Sequence, residues 1–197
     1  MKTIKIAVFF VFLCLTVACL SGCSTRSHPV DLYLLSEHPL PQLAVRKEPI
    51  GVLPVRVPDY LDRPQIVTRT GENTLDLNDF HRWAEPLRMN ITSILVSNLS
   101  HLLQSDWVVK ASHNHGLPVR FQVGVEVLRF DGELDGDVTL SARWSIFSND
   151  GRETTILKSF FFQEQTDSES FADFVAAMSR AIAELSRVIA GELECIL

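Results

Sequence analysis

Cysteine is scarce in this chain: four in 197 residues, three of them within the first twenty-three. Beyond Cys23 only Cys195 remains, so an intrachain disulfide cannot staple the rest of the protein, whatever the redox state of its compartment. Cys195 itself is expected to be a small, buried apolar side chain. Positive charge is also short, with 18 Lys and Arg against 24 Asp and Glu. There is no basic cluster, and an acidic chain of this kind repels nucleic acid and anionic surfaces. No proline follows Pro118, and seven of the nine lie between Pro29 and Pro64, which makes the first third loop-rich and the second half regular. The G-x-S-x-G, G-x-x-x-x-G-K-[ST] and H-E-x-x-H patterns are absent, so the common nucleophilic, phosphate-cradling and zinc-hydrolase sites lack their residues. His113 and His115 form a pair with no third ligand nearby, too few for zinc.

What is present begins at the N-terminus. Lys2 and Lys5 precede an uncharged apolar run from Ile6 to Leu20. At ~1.5 Å per residue those fifteen residues cover ~22 Å, short of the ~30 Å a spanning helix must cross. The run ends in Leu20-Ser21-Gly22-Cys23, the layout of a lipobox, in which small residues precede the cysteine that receives diacylglycerol. A plain signal peptide cut near Ala18, or a short anchor, would give those small residues no role. Residues 1–22 therefore read as a lipoprotein signal peptide, Cys23 as the lipidation site and residues 23–30 as a lipidated tether. Without the signal, 16 basic and 24 acidic residues remain, a formal charge of −8. The seven residues from Ser24 to Val30 reach ~23 Å at most, so the folded part works close to its membrane.

Residues 31–197 suit a single domain. Strands are expected at Asp31–Ser36, at Ile50–Val57 with Pro54 marking an edge or bulge, and at Gln65–Thr70, with Leu75–Leu77 returning beside it. From Pro86, apolar residues at Leu87, Ile91, Ile94, Leu95, Leu99, Leu102 and Leu103 have helical spacing, with Pro86 in the first turn. A short strand near Trp107–Val109 precedes two clean alternations, Val119–Val127 and Val138–Ile146, which predict an antiparallel pair. Asn149-Asp150-Gly151 is a turn signal leading into a third strand, Thr154–Gln163. Phe171 to Ile189 carries the stripe of a second amphipathic helix capped by Ser168 or Ser170. The fold class is α+β, a mixed α/β sandwich: a mainly antiparallel sheet with two main amphipathic helices on one face.

Three segments invite chemistry. Asp131-Gly132-Glu133-Leu134-Asp135-Gly136-Asp137 imitates a calcium loop, but Ala142 stands where the bidentate glutamate belongs and the flanks are strands. A hairpin tip is the better reading. Pro58-Asp59-Tyr60-Leu61-Asp62-Arg63-Pro64-Gln65-Ile66-Val67-Thr68-Arg69 sets an exposed-looking Tyr-Leu pair among alternating charges. Arg82-Trp83-Ala84-Glu85-Pro86-Leu87 places a stacked or ion-paired Arg-Trp knot before the first helix, unless Trp83 simply fills the core.

These two runs, 58–69 and 82–87, together with Tyr33-Leu34-Leu35, resemble the ABC-type transport auxiliary lipoprotein family across about residues 23–192. The resemblance implies a non-enzymatic accessory of an MCE-type system that carries lipids between membranes. It also implies an MCE-domain periplasmic tunnel protein and its inner-membrane partner as partners. Ser24, in place of aspartate after the cysteine, implies sorting to the periplasmic face of the outer membrane. On this reading Tyr60, Leu61, Arg63, Arg69 and Arg82 lie on or near a protein interface. A homo-oligomer is compatible, nucleic acid is not a partner, and no cofactor or metal is expected beyond the covalent lipid (palmitate among its acyl chains) on Cys23. The rival reading is a periplasmic carrier that itself holds acyl chains in a cavity lined by Phe160, Phe161 and Phe162.

Overall fold

Alternating burial along three long strands organises the molecule. The computed structural model describes residues 29–38, 40–43, 48–111, 118–148 and 154–196. The signal peptide, Cys23, Ser24, the His113/His115 pair and the Asn149-Asp150-Gly151 turn lie outside the described residues. Strands β6 (Phe121–Gly132), β7 (Asp137–Ser148) and β8 (Thr154–Gln165) form the expected antiparallel meander. Their inward side chains include Val123, Val125, Leu140, Trp144 and Ile146, all buried.

The meander is extended by β2 (Ile50–Val52) and β5 (Val108–Lys110), giving a five-stranded sheet in the order β5-β2-β6-β7-β8. Here the structure corrects the reading of Pro54. β2 is not an edge but runs parallel between β5 and β6. Pro54 falls just after its last residue, where its missing N–H costs no ladder bond. The chain then rejoins β6 through Arg56, whose N–H donates to the Val125 carbonyl at 3.1 Å. Gly51 leaves little room in this central position, since a Cβ there would sit 3.3 Å from the Ala111 and Val119 side chains, which would have to shift.

A second, three-stranded sheet has the order β1-β4-β3, from β1 (Asp31–Tyr33), β3 (Gln65–Gly71) and β4 (Thr74–Trp83). β4 is far longer than the expected Leu75–Leu77, because β1 and β3 hydrogen-bond to its two edges. Two helices cover the large sheet. α1 (Leu87–Leu102) packs on β2 and β5, α2 (Phe171–Ile196) packs on β7 and β8, and the helices pack on each other. Pro86 is the residue preceding α1, its carbonyl accepting from the Met89 and Asn90 N–H groups at 2.8 and 3.1 Å. Ser170 caps α2, its Oγ accepting from the Asp173 N–H at 3.0 Å, and Ser168 supports it by hydrogen-bonding Asp173. Cys195 is exposed, not buried, since it falls on the outward side of the last turn of α2 while Leu193 faces in. The architecture is α+β, with two mixed sheets where one was expected. Among the described residues no helix is long and apolar enough to cross a membrane.

Candidate functional site

The 58–64 loop is folded by its prolines. Pro58 accepts from the Leu61 N–H at 2.9 Å, and Pro64 accepts from the Trp83 N–H at 2.7 Å. The tight turn between them drives Leu61 inward, where it is 2% exposed and part of the core. This corrects the reading of an exposed Tyr-Leu pair, since Leu61 has no side-chain surface to offer a partner. Tyr60 is half-buried, and its hydroxyl donates to Asp131 Oδ2 at 2.7 Å.

Asp131 is the hub of the region. It belongs to β6, is 0% exposed, and accepts from three side chains on three parts of the chain. Arg69 of β3 approaches in a fork, Nε to Oδ1 at 2.8 Å and Nη2 to Oδ2 at 3.1 Å, and Arg129 Nε adds a bond to Oδ1 at 2.9 Å. The third Arg69 nitrogen, Nη1, donates to the Glu72 carbonyl at 2.7 Å. Burial pushes the Asp131 carboxyl up, but hydrogen bonds from Arg69, Tyr60 and Arg129 outweigh it and hold it below its ordinary value. The Tyr60 phenol is raised by burial and by its bond to the Asp131 carboxylate. Together these bonds fasten the small sheet to the large one. Asp131 also differs from its reading as the first residue of a hairpin tip: its oxygens serve β3 and the 58–64 loop.

Arg82 and Trp83 point to opposite faces of β4, as successive strand residues must, so they form no stacked knot. Trp83 fills the core, and Arg82 bonds Asp79, Nε to its carbonyl at 2.8 Å. Beyond them lies a cleft of about 380 Å³ whose wall includes Asp62, Arg63, Pro64, Trp83, Glu85 and Arg88. Arg88 Nη1 donates to both Asp62 oxygens at 2.5 and 2.6 Å. Glu85 accepts from Asn90 Nδ2 at 2.9 Å, while Asn90 Oδ1 accepts from the Leu35 N–H at 2.6 Å. Arg63 differs from both: among the described residues its guanidinium has no ion pair, and its Nε is buried without a hydrogen-bond partner. The structure thus divides the five expected interface residues. Leu61 is core, Tyr60 and Arg69 serve Asp131, Arg82 lies on the outer face of β4, and Arg63 lines an open cleft. Sequence reading missed Asp131 and Arg88 as members of this region, and gave Asp62, within the 58–69 run, no role of its own.

The phenylalanines of β8 split by face. Phe160 and Phe162 pack against the core with ring centroids 6.2 Å apart, and Phe161 is 65% exposed.

Known proteins are similar to this chain in sequence and fold. The chain is 29% identical over 140 residues to the intermembrane transport lipoprotein PqiC of Escherichia coli K12, covering 71% of this chain and 72% of that protein. The PqiC of Shigella flexneri matches equally. Among solved structures, the crystal structure of an uncharacterised protein superposes with a TM-score of 0.71 at 26% identity, over 84% of this chain and 99% of that one. A Xanthomonas campestris protein shares the fold, with a TM-score of 0.68 at 15% identity over 85% of this chain and all of that one. The model of the ABC-type transport auxiliary lipoprotein component matches residues 33–190, most of the chain and both arginine-bearing segments, and this protein belongs to that family.

Proposed function

We propose that this protein is the outer-membrane-anchored lipoprotein of an MCE-type intermembrane lipid transport system. Acyl chains on Cys23 hold it to the membrane, and Ser24 directs it to the periplasmic face of the outer membrane. There the domain docks the far end of a periplasm-spanning MCE tunnel whose other end meets an inner-membrane partner. Its role is to hold and align, not to catalyse.

Family membership across residues 33–190, on a chain that begins with a lipobox, carries the reading. The cleft beside Arg63 supplies a docking point of suitable chemistry. An unpaired guanidinium beside Trp83 and Pro64 suits a partner side chain that brings a carboxylate next to apolar surface. The exposed edge and Phe161 of β8 suit a homo-oligomer matched to a ring-shaped partner. The carrier reading is weaker, because Phe160 and Phe162 pack against the core in place of lining a cavity.

A photo-crosslinking residue at position 63, in cells retaining their outer membrane, is expected to capture an MCE-domain protein. Capture of neither such a protein nor a second copy sinks the docking reading. Labelled palmitate tests the anchor separately, since Cys23→Ala must abolish its incorporation.

A further inference from the structure

The strand that leaves the tether carries an apolar stripe facing away from the core. Val30, Leu32 and Leu34 are 44%, 64% and 51% exposed, while Tyr33 and Leu35 between and beyond them turn inward. Period-2 geometry puts the three on one face. β1 is the outer strand of its sheet, and Leu32 lies directly across from Arg82 of β4. Arg82 therefore shares that face. Leu32 belongs to the edge strand and Val30 and Leu34 flank it, and three exposed aliphatic side chains so placed are unfavourable in water and a pairing hazard unless something covers them.

The position of the stripe in the chain identifies its cover. It begins at residue 30, where the seven-residue tether from the lipidated cysteine ends, so its first residue lies within ~23 Å of the bilayer. We propose that the outer face of β1 and β4, carrying Val30, Leu32 and Leu34, rests on the lipid bilayer at headgroup depth and fixes the domain's orientation on its membrane. This rests on the lipid at Cys23 described above. Arg82 is the cation on the face, set beside the aliphatic stripe as interfacial contacts require. Electrostatic attraction does not drive the contact, since the formal net charge without the signal is −8 and Asp79 already pairs with Arg82 at 3.8 Å. The contact is apolar and insensitive to salt.

The test uses the full lipidated chain with Cys195→Ser, reconstituted in vesicles of phosphatidylethanolamine and phosphatidylglycerol. Nitroxides are placed at Leu32→Cys, Leu34→Cys and, as the distant site, Arg187→Cys. Arg187 is exposed and lies sixteen residues, ~24 Å, along α2 from its first residue Phe171, which sits beside Tyr33. Labels at 32 and 34 are expected to collide with dissolved oxygen more than with a water-soluble nickel chelate, equally at low and high salt, and the label at 187 to show the reverse. Nickel accessibility at 32 and 34 equal to that at 187 overturns the inference. Shielding of 32 and 34 from both reagents also overturns it, because protein (a second copy or a transport partner) then covers the face. Labelled palmitate is measured on the same preparation. Chains lacking lipid sink the anchor and this inference together, whereas lipid-bearing chains with nickel-exposed labels sink this inference alone.

Discussion

Replacing Asp131 by asparagine keeps the shape of the side chain and removes what its neighbours need. Two donors, the Nε atoms of Arg69 and Arg129, converge on Oδ1, and two more, Tyr60 Oη and Arg69 Nη2, converge on Oδ2. An amide has one accepting end. In either orientation its NH₂ faces a pair of donors, and two guanidinium groups lose their counter-charge. Breaking a buried, hydrogen-bonded ion pair costs about 3–5 kcal/mol. The Arg69 and Arg129 side chains are 20% and 41% exposed, so water screens part of the loss and the lower end, about 3 kcal/mol, applies. For a domain of this size that lowers Tm by about 6–12 °C. Tyr60→Phe removes one hydroxyl from the same carboxylate and costs about 1.5–2 kcal/mol. Because the two residues share one hydrogen bond, the double variant loses less than the sum of the singles. Urea unfolding monitored by tryptophan fluorescence measures all three. A loss below about 1 kcal/mol for Asp131→Asn refutes the reasoning, for then the carboxylate does not join the sheets.

The same group sets an acid limit. Its folded pKa lies below the ordinary 3.8, so its contribution is fully present above that value and is lost as pH falls through the folded one. The wild type should lose stability faster than Asp131→Asn below about pH 4.

Two further outcomes follow from the packing and a third from the proposed lipid anchor. Leu61→Ala should cost about 2–5 kcal/mol in urea unfolding, as a truncation in the core does, and an unchanged midpoint contradicts its burial. Ser170→Ala should destabilise α2 by about 1 kcal/mol through loss of the cap on the Asp173 N–H, read as a lower Tm, with Ser170→Asp restoring it. Cys23→Ala should release the protein from membrane fractions and abolish palmitate labelling, which sedimentation and radiography check.

The elements with long, regular periods were legible before any coordinates. The β6–β7–β8 meander, both helices and the cap of α2 stand where the spacing put them, because burial of one face imposes its period on the residues. What stayed hidden depends on contacts distant in sequence. Only Leu75–Leu77 of β4 reads as strand, with Asn78 and Asp79 breaking the pattern after it, since β4 is an exposed ribbon held by neighbours on both edges and not by a buried face of its own. β2 is only three residues long, and its central place comes from parallel partners more than fifty residues away. Asp131 was concealed by its place at the end of β6, where the acidic, glycine-bearing run reads as a hairpin tip, because the donors that bury it, Tyr60 and Arg69, lie more than sixty residues away.

Arg63 and Arg69 show why the candidate site was only half readable. In the sequence both are cations in one loop and strand of twelve residues, and nothing nearby separates them. The fold separates them by satisfaction: Arg69 gives all three of its nitrogens to the protein, and Arg63 gives its side chain to no described residue. A guanidinium bonded through each of its nitrogens stabilises the domain, and one with no partner among the described residues, beside a cleft, is available to another molecule. The two arginines should therefore respond in opposite ways. Arg69→Ala leaves Asp131 buried with fewer donors and lowers the urea midpoint, by about 2–3 kcal/mol. Arg63→Ala removes a side chain that bonds no described residue, and with it a buried Nε that has no partner, so it leaves stability within about 0.5 kcal/mol of wild type and impairs docking. Measuring unfolding and crosslinking yield on both variants decides the matter. If Arg63→Ala unfolds the protein as readily as Arg69→Ala, its guanidinium has an internal role, and the docking point must be sought elsewhere on the surface.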